Sequence, residues 1–204
     1  MRLAFALVLV TALSSIAVAG ETSQGAELDE IVVPVRARAE VRAELAKHRN
    51  DNLAAFRAYV KAGVYPSNVI DGKPANVWRD KDGHLCAAAT IIDKSGAHDL
   101  VQRVAEQNNG LKLADVKQGP VMDWILTSGF TQEELVLIQR PFRPVTDEPS
   151  PSGGPVDAKL RAAETARLAK LYKQIDNDLT DNADKSLDLA TDRLMAHPDV
   201  AVKL

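Results

Sequence analysis

The sequence predicts a mainly α fold with little or no β, built as a compact multi-helix domain with long amphipathic helices at its N- and C-terminal ends. Three observations carry this expectation. Aromatic residues are scarce, at 4%, while alanine and leucine are common, which suits close-packed helices better than a sandwich of strands. Two long stretches, 35–62 and 156–195, repeat apolar residues at a period near 3.6. The segments between them carry helix start and stop signals, with Ser, Thr or Asp before apolar runs and Gly or Pro after them.

The first element is read as a secretory signal, 1–19. Arg2 supplies a positive start, Leu3 to Leu13 is almost wholly apolar, and the small residues Ala17-Val18-Ala19 place cleavage after Ala19, with Ser15-Ile16-Ala17 as a second cleavage signal. The apolar run is short against the roughly 20 residues of a membrane span, and no basic stop-transfer cluster follows it. An exported protein, periplasmic or secreted, is therefore expected, with no stable membrane anchor once the signal is removed. Residues 20–34 are polar and mixed, and are expected to be a flexible lead.

A helical domain is expected over 35–140. In its first helix Val41, Leu45, Leu53, Phe56 and Val60 fall near one face, Arg36, Arg38, Glu40, Arg42, Glu44, Lys47 and Arg49 are assigned to solvated positions, and Gly63 ends the helix. Tyr65-Pro66-Ser67-Asn68 and Asp71-Gly72-Lys73-Pro74 are turn chemistry, as is Asp80-Lys81-Asp82-Gly83. Leu85 to Ile92 reads as a short buried helix. Ser95 is expected to cap a helix to Gln107, and Asp115 one that contains Pro120 and ends before Gly129. Thr131-Gln132-Glu133-Glu134 has the spacing of a capping box, and Phe130 and Leu135 stand where a hydrophobic staple forms, so a third helix runs from there to about Arg140.

Five prolines with Ser150, Ser152, Gly153 and Gly154 make 141–155 an extended linker. Beyond it, 156–204 is read as one long amphipathic helix with a stripe of Leu160, Ala163, Leu168, Leu171, Ile175, Leu179, Leu187, Ala190 and Leu194. A lone helix cannot bury such a stripe. Its partner would be the first helix of the same chain, a second copy or another protein.

Composition narrows the function classes. The formal net charge is −3, and removing 1–19 deletes only Arg2, which takes it to −4. With no dense basic cluster either, no nucleic-acid partner is expected. Residues Trp124 to Leu135 resemble part of a helix-turn-helix, but the chain reaches Pro141 without a following recognition helix, so the same residues are read as helix punctuation. The single cysteine cannot form an internal disulfide.

The stretch Asn76 to Ile92 concentrates the candidate chemistry. Cys86 would lie at the amino end of a helix, where the dipole lowers a thiol pKa, and His84 is two residues away. The bland reading is a small buried cysteine among alanines. Asp80 and Asp82 invite a calcium reading, but a twelve-residue loop with Gly83 at its sixth place would start at Trp78 and close at Ala89, lacking both ends of the ligand set. No zinc spacing is present, so neither metal nor cofactor is assigned. A small-ligand pocket lined by Trp78, Met122 and Trp124 is a further possibility, against which stands the core role of most tryptophans.

No Gly-rich phosphate loop, nucleophile elbow, His-Glu-x-x-His or Cys-x-x-Cys occurs. The leading expectation is a non-catalytic envelope or secreted binding protein, acting through its C-terminal helix by a protein partner or self-association. The alternative is a thiol-dependent enzyme or redox protein using Cys86.

Overall fold

Helix α1 (Arg38–Ala62) contains neither glycine nor proline and runs unbroken to Gly63, whose φ of 63° closes it in the left-handed region. Its buried positions are Val41, Leu45, Arg49, Asn52, Leu53, Phe56 and Tyr59. Most follow steps of three and four, which place them on one face. Arg49 is on that face and buried, not solvated as expected.

The computed structural model describes residues 36–66, 69–70, 73–74, 77–140 and 158–204. The expected signal 1–19, lead 20–34, linker 141–155 and turn residues 67–68 and 71–72 lie outside these. After α1 the strands β1 (Val69–Ile70) and β2 (Lys73–Pro74) pair antiparallel, Val69 opposite Pro74. A single bridge joins Arg79 to Leu85. All other regular structure among the described residues is helical, as the composition predicts.

Helices α2 (Ala87–Lys94) and α3 (His98–Gln107) follow, then one 3₁₀ turn at Leu113–Asp115, α4 (Pro120–Thr127) and α5 (Gln132–Gln139). Two of the expected caps are placed otherwise. Ser95 closes α2 instead of opening α3, because its hydroxyl donates back to the Ile92 carbonyl at 2.7 Å. Asp115 sits in the 3₁₀ turn, and α4 starts at Pro120 after Gly119, where a missing N–H costs nothing. The capping box of α5 is complete. Thr131 accepts from the Glu134 N–H at 3.2 Å, and Glu134 accepts from the Thr131 N–H at 2.9 Å, with Phe130 and Leu135 both buried.

The C-terminal region is three helices instead of one: α6 (Ala158–Asp181), α7 (Ala183–Met195) and α8 (Pro198–Ala201). The first break falls at Asn182, whose side-chain amide donates to the Asp178 carbonyl at 2.9 Å, in competition with the helix ladder. The second falls before Pro198, which cannot donate and pushes His197 out of the helical region. The stripe also differs in detail. Ala163 is exposed, and Leu168, Tyr172, Ile175 and Leu179 form the buried row of α6.

That row is covered by the chain itself. One core cluster joins Leu53, Phe56 and Tyr59 of α1 and the alanines and isoleucines of α2 to Leu168, Tyr172, Ile175 and Leu179 of α6. Phe56, Tyr59, Tyr65 and Tyr172 meet with ring centroids between 5.3 and 5.6 Å apart. A second cluster packs Val41, Leu45 and Leu126 on Leu187, Ala190, Leu194 and Val200. Each fully buried large side chain contributes about 1.5–3 kcal/mol, so these rows dominate the stability of the molecule. Of the three partners open to the C-terminal stripe, the first helix of the same chain is the one observed. Among the described residues no helix is long and apolar enough to cross a membrane.

Candidate functional site

The stretch around Cys86 is a structural knot. Trp78 is 1% exposed and donates through Nε1 to the Leu111 carbonyl at 2.7 Å, while its backbone bonds Asn109 and Cys86. Asp80 organises the turn that follows: one carboxylate oxygen accepts the N–H groups of Asp82 and His84 at 2.9 and 2.8 Å, and the other faces His84 Nδ1 at 3.2 Å. Gly83 closes the turn at φ 85°. The ligand atoms of Asp80, Asp82 and His84 lie within 4.8 Å of one another. The turn accounts for that grouping, since both Asp80 oxygens already serve it, and no metal is assigned.

Cys86 is the N-cap of α2, and its Sγ accepts from the Ala89 N–H at 3.4 Å. The helix end is where the sequence placed it, but the thiol is 1% exposed, and burial pushes its pKa up to about 11. Desolvation outweighs the backbone donors. His84 is turned to Asp80, so among the described residues no histidine is paired with the thiol.

Of Trp78, Met122 and Trp124, which all belong to or border one core cluster, only Met122 lines a cavity. Trp78 is core, and Trp124 is partly buried with Nε1 donating to Ser95 Oγ at 2.8 Å. The Met122 cavity, of about 290 Å³, is half-open and lies between α4, α7 and the start of α5.

Helical spacing builds that cavity. Met122, Ile125 and Leu126 stand at i, i+3 and i+4 on α4, and Ala190, Arg193 and His197 follow the same rule along α7 and just past its end. Ala190 is small enough to leave the space open. Phe130 completes the apolar floor, and its ring is held from behind by the Arg49 guanidinium, 4.8 Å from its centroid. Lys117, Gln132, Arg193 and His197 form the polar part of the lining.

Each polar group is positioned by a neighbour. Gln132 donates to the carbonyls of Leu113 and Val116 at 2.7 and 2.9 Å. Arg193 forms a bidentate pair with Glu133 at 2.9 and 2.7 Å, and this partner holds the Glu133 carboxyl down to about 2. His197 Nδ1 donates to the Arg193 carbonyl at 2.8 Å, and Lys117 Nζ lies 3.4 Å from the Ala114 carbonyl. Lys117, Phe130, Gln132, Ala190 and Arg193 were not singled out from the sequence as site residues, and His197 stood only among the histidines without a recognisable signature. They lie on three separate stretches of the chain and carry no linear signature.

Behind the cavity, α1 grips the end of α4. His48, Asn52 and Arg49 meet the successive carbonyls of Thr127, Ser128 and Gly129 at 2.7, 2.8 and 3.1 Å. These include orphan acceptors of a helix C-terminus. Gly129 has φ 79°, and a Cβ there would stand 2.2 Å from the Leu45 carbonyl oxygen, so α1 and the α4–α5 turn approach as closely as only glycine allows.

Compared with models of known protein families, with curated proteins and with solved structures, the chain matches none.

Proposed function

We propose that the protein is an exported, non-catalytic binding protein whose ligand site is the cavity between α4, α5 and α7. The observation that carries this reading is the cavity's construction: an apolar floor with a few convergent polar groups, each positioned by a neighbour, which is how small-molecule sites are built. The lining offers no carboxylate, thiol or hydroxyl, and its imidazole, His197, is tied through Nδ1 to the Arg193 carbonyl with no acidic partner in the lining to orient it as a base. Burial of Cys86 weighs against the thiol-enzyme alternative. Cover of the α6–α7 stripe by α1, α2 and α4 weighs against the C-terminal helix as a partner-binding surface. Export rests on the signal-like pattern of 1–19.

The test is a small-molecule screen by thermal shift on the mature protein, repeated on Met122→Trp, which fills the cavity from its partly buried wall. Ligands that stabilise the wild type and lose their effect on a folded Met122→Trp protein support the reading. Ligands that stabilise both equally, or none at all across a chemically broad set, overturn it.

A further inference from the structure

We infer that the ligand of this cavity is a small amphipathic anion, with one anionic head and one short apolar body; this deepens the binding reading above and rests on it. Charge complementarity is the argument. The titratable groups of the lining are Lys117, Arg193 and His197, and none is acidic. Arg193 uses two of its five N–H donors on Glu133, which fixes the guanidinium and leaves three donors for another acceptor. A fork held in this way loses little rotamer freedom on binding a carboxylate or similar head. Glu133 offsets the charge of Arg193, so the unbalanced charge at the rim is Lys117, which is exposed and has only a long contact with a carbonyl.

The body of the ligand is set by the floor. Phe130 is a fixed ring and Met122 an adaptable thioether, a pair that accepts an aliphatic or aromatic group without demanding one shape. The volume, about 290 Å³, lies just below the roughly 300–1,000 Å³ of small-molecule sites, so the ligand is a short chain or a single ring. A cationic ligand would meet Lys117 and Arg193 at the rim, and a neutral one would leave the charge of Lys117 and the remaining donors of Arg193 unused.

The experiment compares hexanoate, 1-hexanol and hexylammonium by isothermal titration of the mature protein, with amide chemical shifts locating each site. Hexanoate is expected to bind about fivefold tighter than hexanol, the factor for one part-exposed ion pair, and hexylammonium weakest. Lys117→Gln, at an exposed position where folding is not at stake, should lower the hexanoate-to-hexanol affinity ratio by a similar factor. Hexanol binding at the cavity as tightly as hexanoate, or an unchanged ratio in the variant, overturns the anion inference and leaves the cavity reading standing. If none of the three shifts the amides of Met122, Phe130 or Arg193, both fall.

Discussion

Arg49 joins α1 to the α4–α5 turn, α5 and α6. Its guanidinium pairs with Glu134 at 2.7 and 2.8 Å, donates to the carbonyls of Gly129 and Leu179, and covers the Phe130 ring. It thus sits at the carboxyl ends of α4 and α6, where a cation is favoured, while Glu134 sits at the amino end of α5, where an anion is favoured. Removing one partner strands the other in the core, so Arg49→Met is expected to cost about 3–5 kcal/mol in chemical denaturation, and Arg49→Met with Glu134→Leu to recover much of it. A single variant within 1 kcal/mol of wild type would show that the pair is dispensable. Its register was legible, since Arg49 follows Leu45 by four residues; its burial was not, because the carboxylate that permits it comes from a distant helix. Cys86 was legible in part: its helix end and its burial among alanines could be read, but the desolvation that decides its chemistry comes from tertiary packing. With the thiol pushed up to about 11, iodoacetamide should label it only after unfolding. Rapid labelling of the native protein near neutral pH would restore the thiol chemistry.

Elements whose ends are determined locally were readable, and those determined by competition were not. The α5 capping box lies wholly within Thr131 to Glu134, and Thr131→Ala is expected to lower stability by about 1 kcal/mol, measured by urea denaturation, with the helix otherwise unchanged. Ser95 and Asn182 show the other case, since each side chain can serve the helix before it or the one after it, and only the fold decides. Between elements, the Arg193–Glu133 pair ties α7 to α5 beside the cavity mouth. Because the folded carboxyl is lowered from 4.5 to about 2, the stability it adds is complete above the unfolded value and is lost as pH falls through the folded one. Wild type should therefore exceed Glu133→Gln in stability at neutral pH, and the gap should close between pH 4.5 and about 2. A gap that persists below pH 2 would assign the difference to something other than this ionisation.

At the scale of the molecule, the sequence supports a separate C-terminal helix after a linker, whereas the packing makes α6 and α7 part of the same core as α1. The distinction is thermodynamic. The Phe56, Tyr59 and Tyr65 side chains are covered by Tyr172 of α6, and Arg49 needs the Leu179 carbonyl, so the segments before and after the linker each leave buried apolar and polar groups exposed without the other. The cavity inherits this dependence, because Met122 and Phe130 precede residue 141 and Arg193 follows residue 157. No window of sequence contains it, which is why the composition and periodicity that revealed the helices did not reveal the site. Unfolding is expected to be one cooperative event. Both tryptophans, Trp78 and Trp124, lie before residue 141, while α6 and α7 lie after residue 157 and contribute heavily to far-ultraviolet circular dichroism. The two signals should follow one denaturation curve with a common midpoint. Loss of helicity ahead of the change in tryptophan emission would mean that the C-terminal helices detach on their own, and that the wall carrying Arg193 is a movable part of the site.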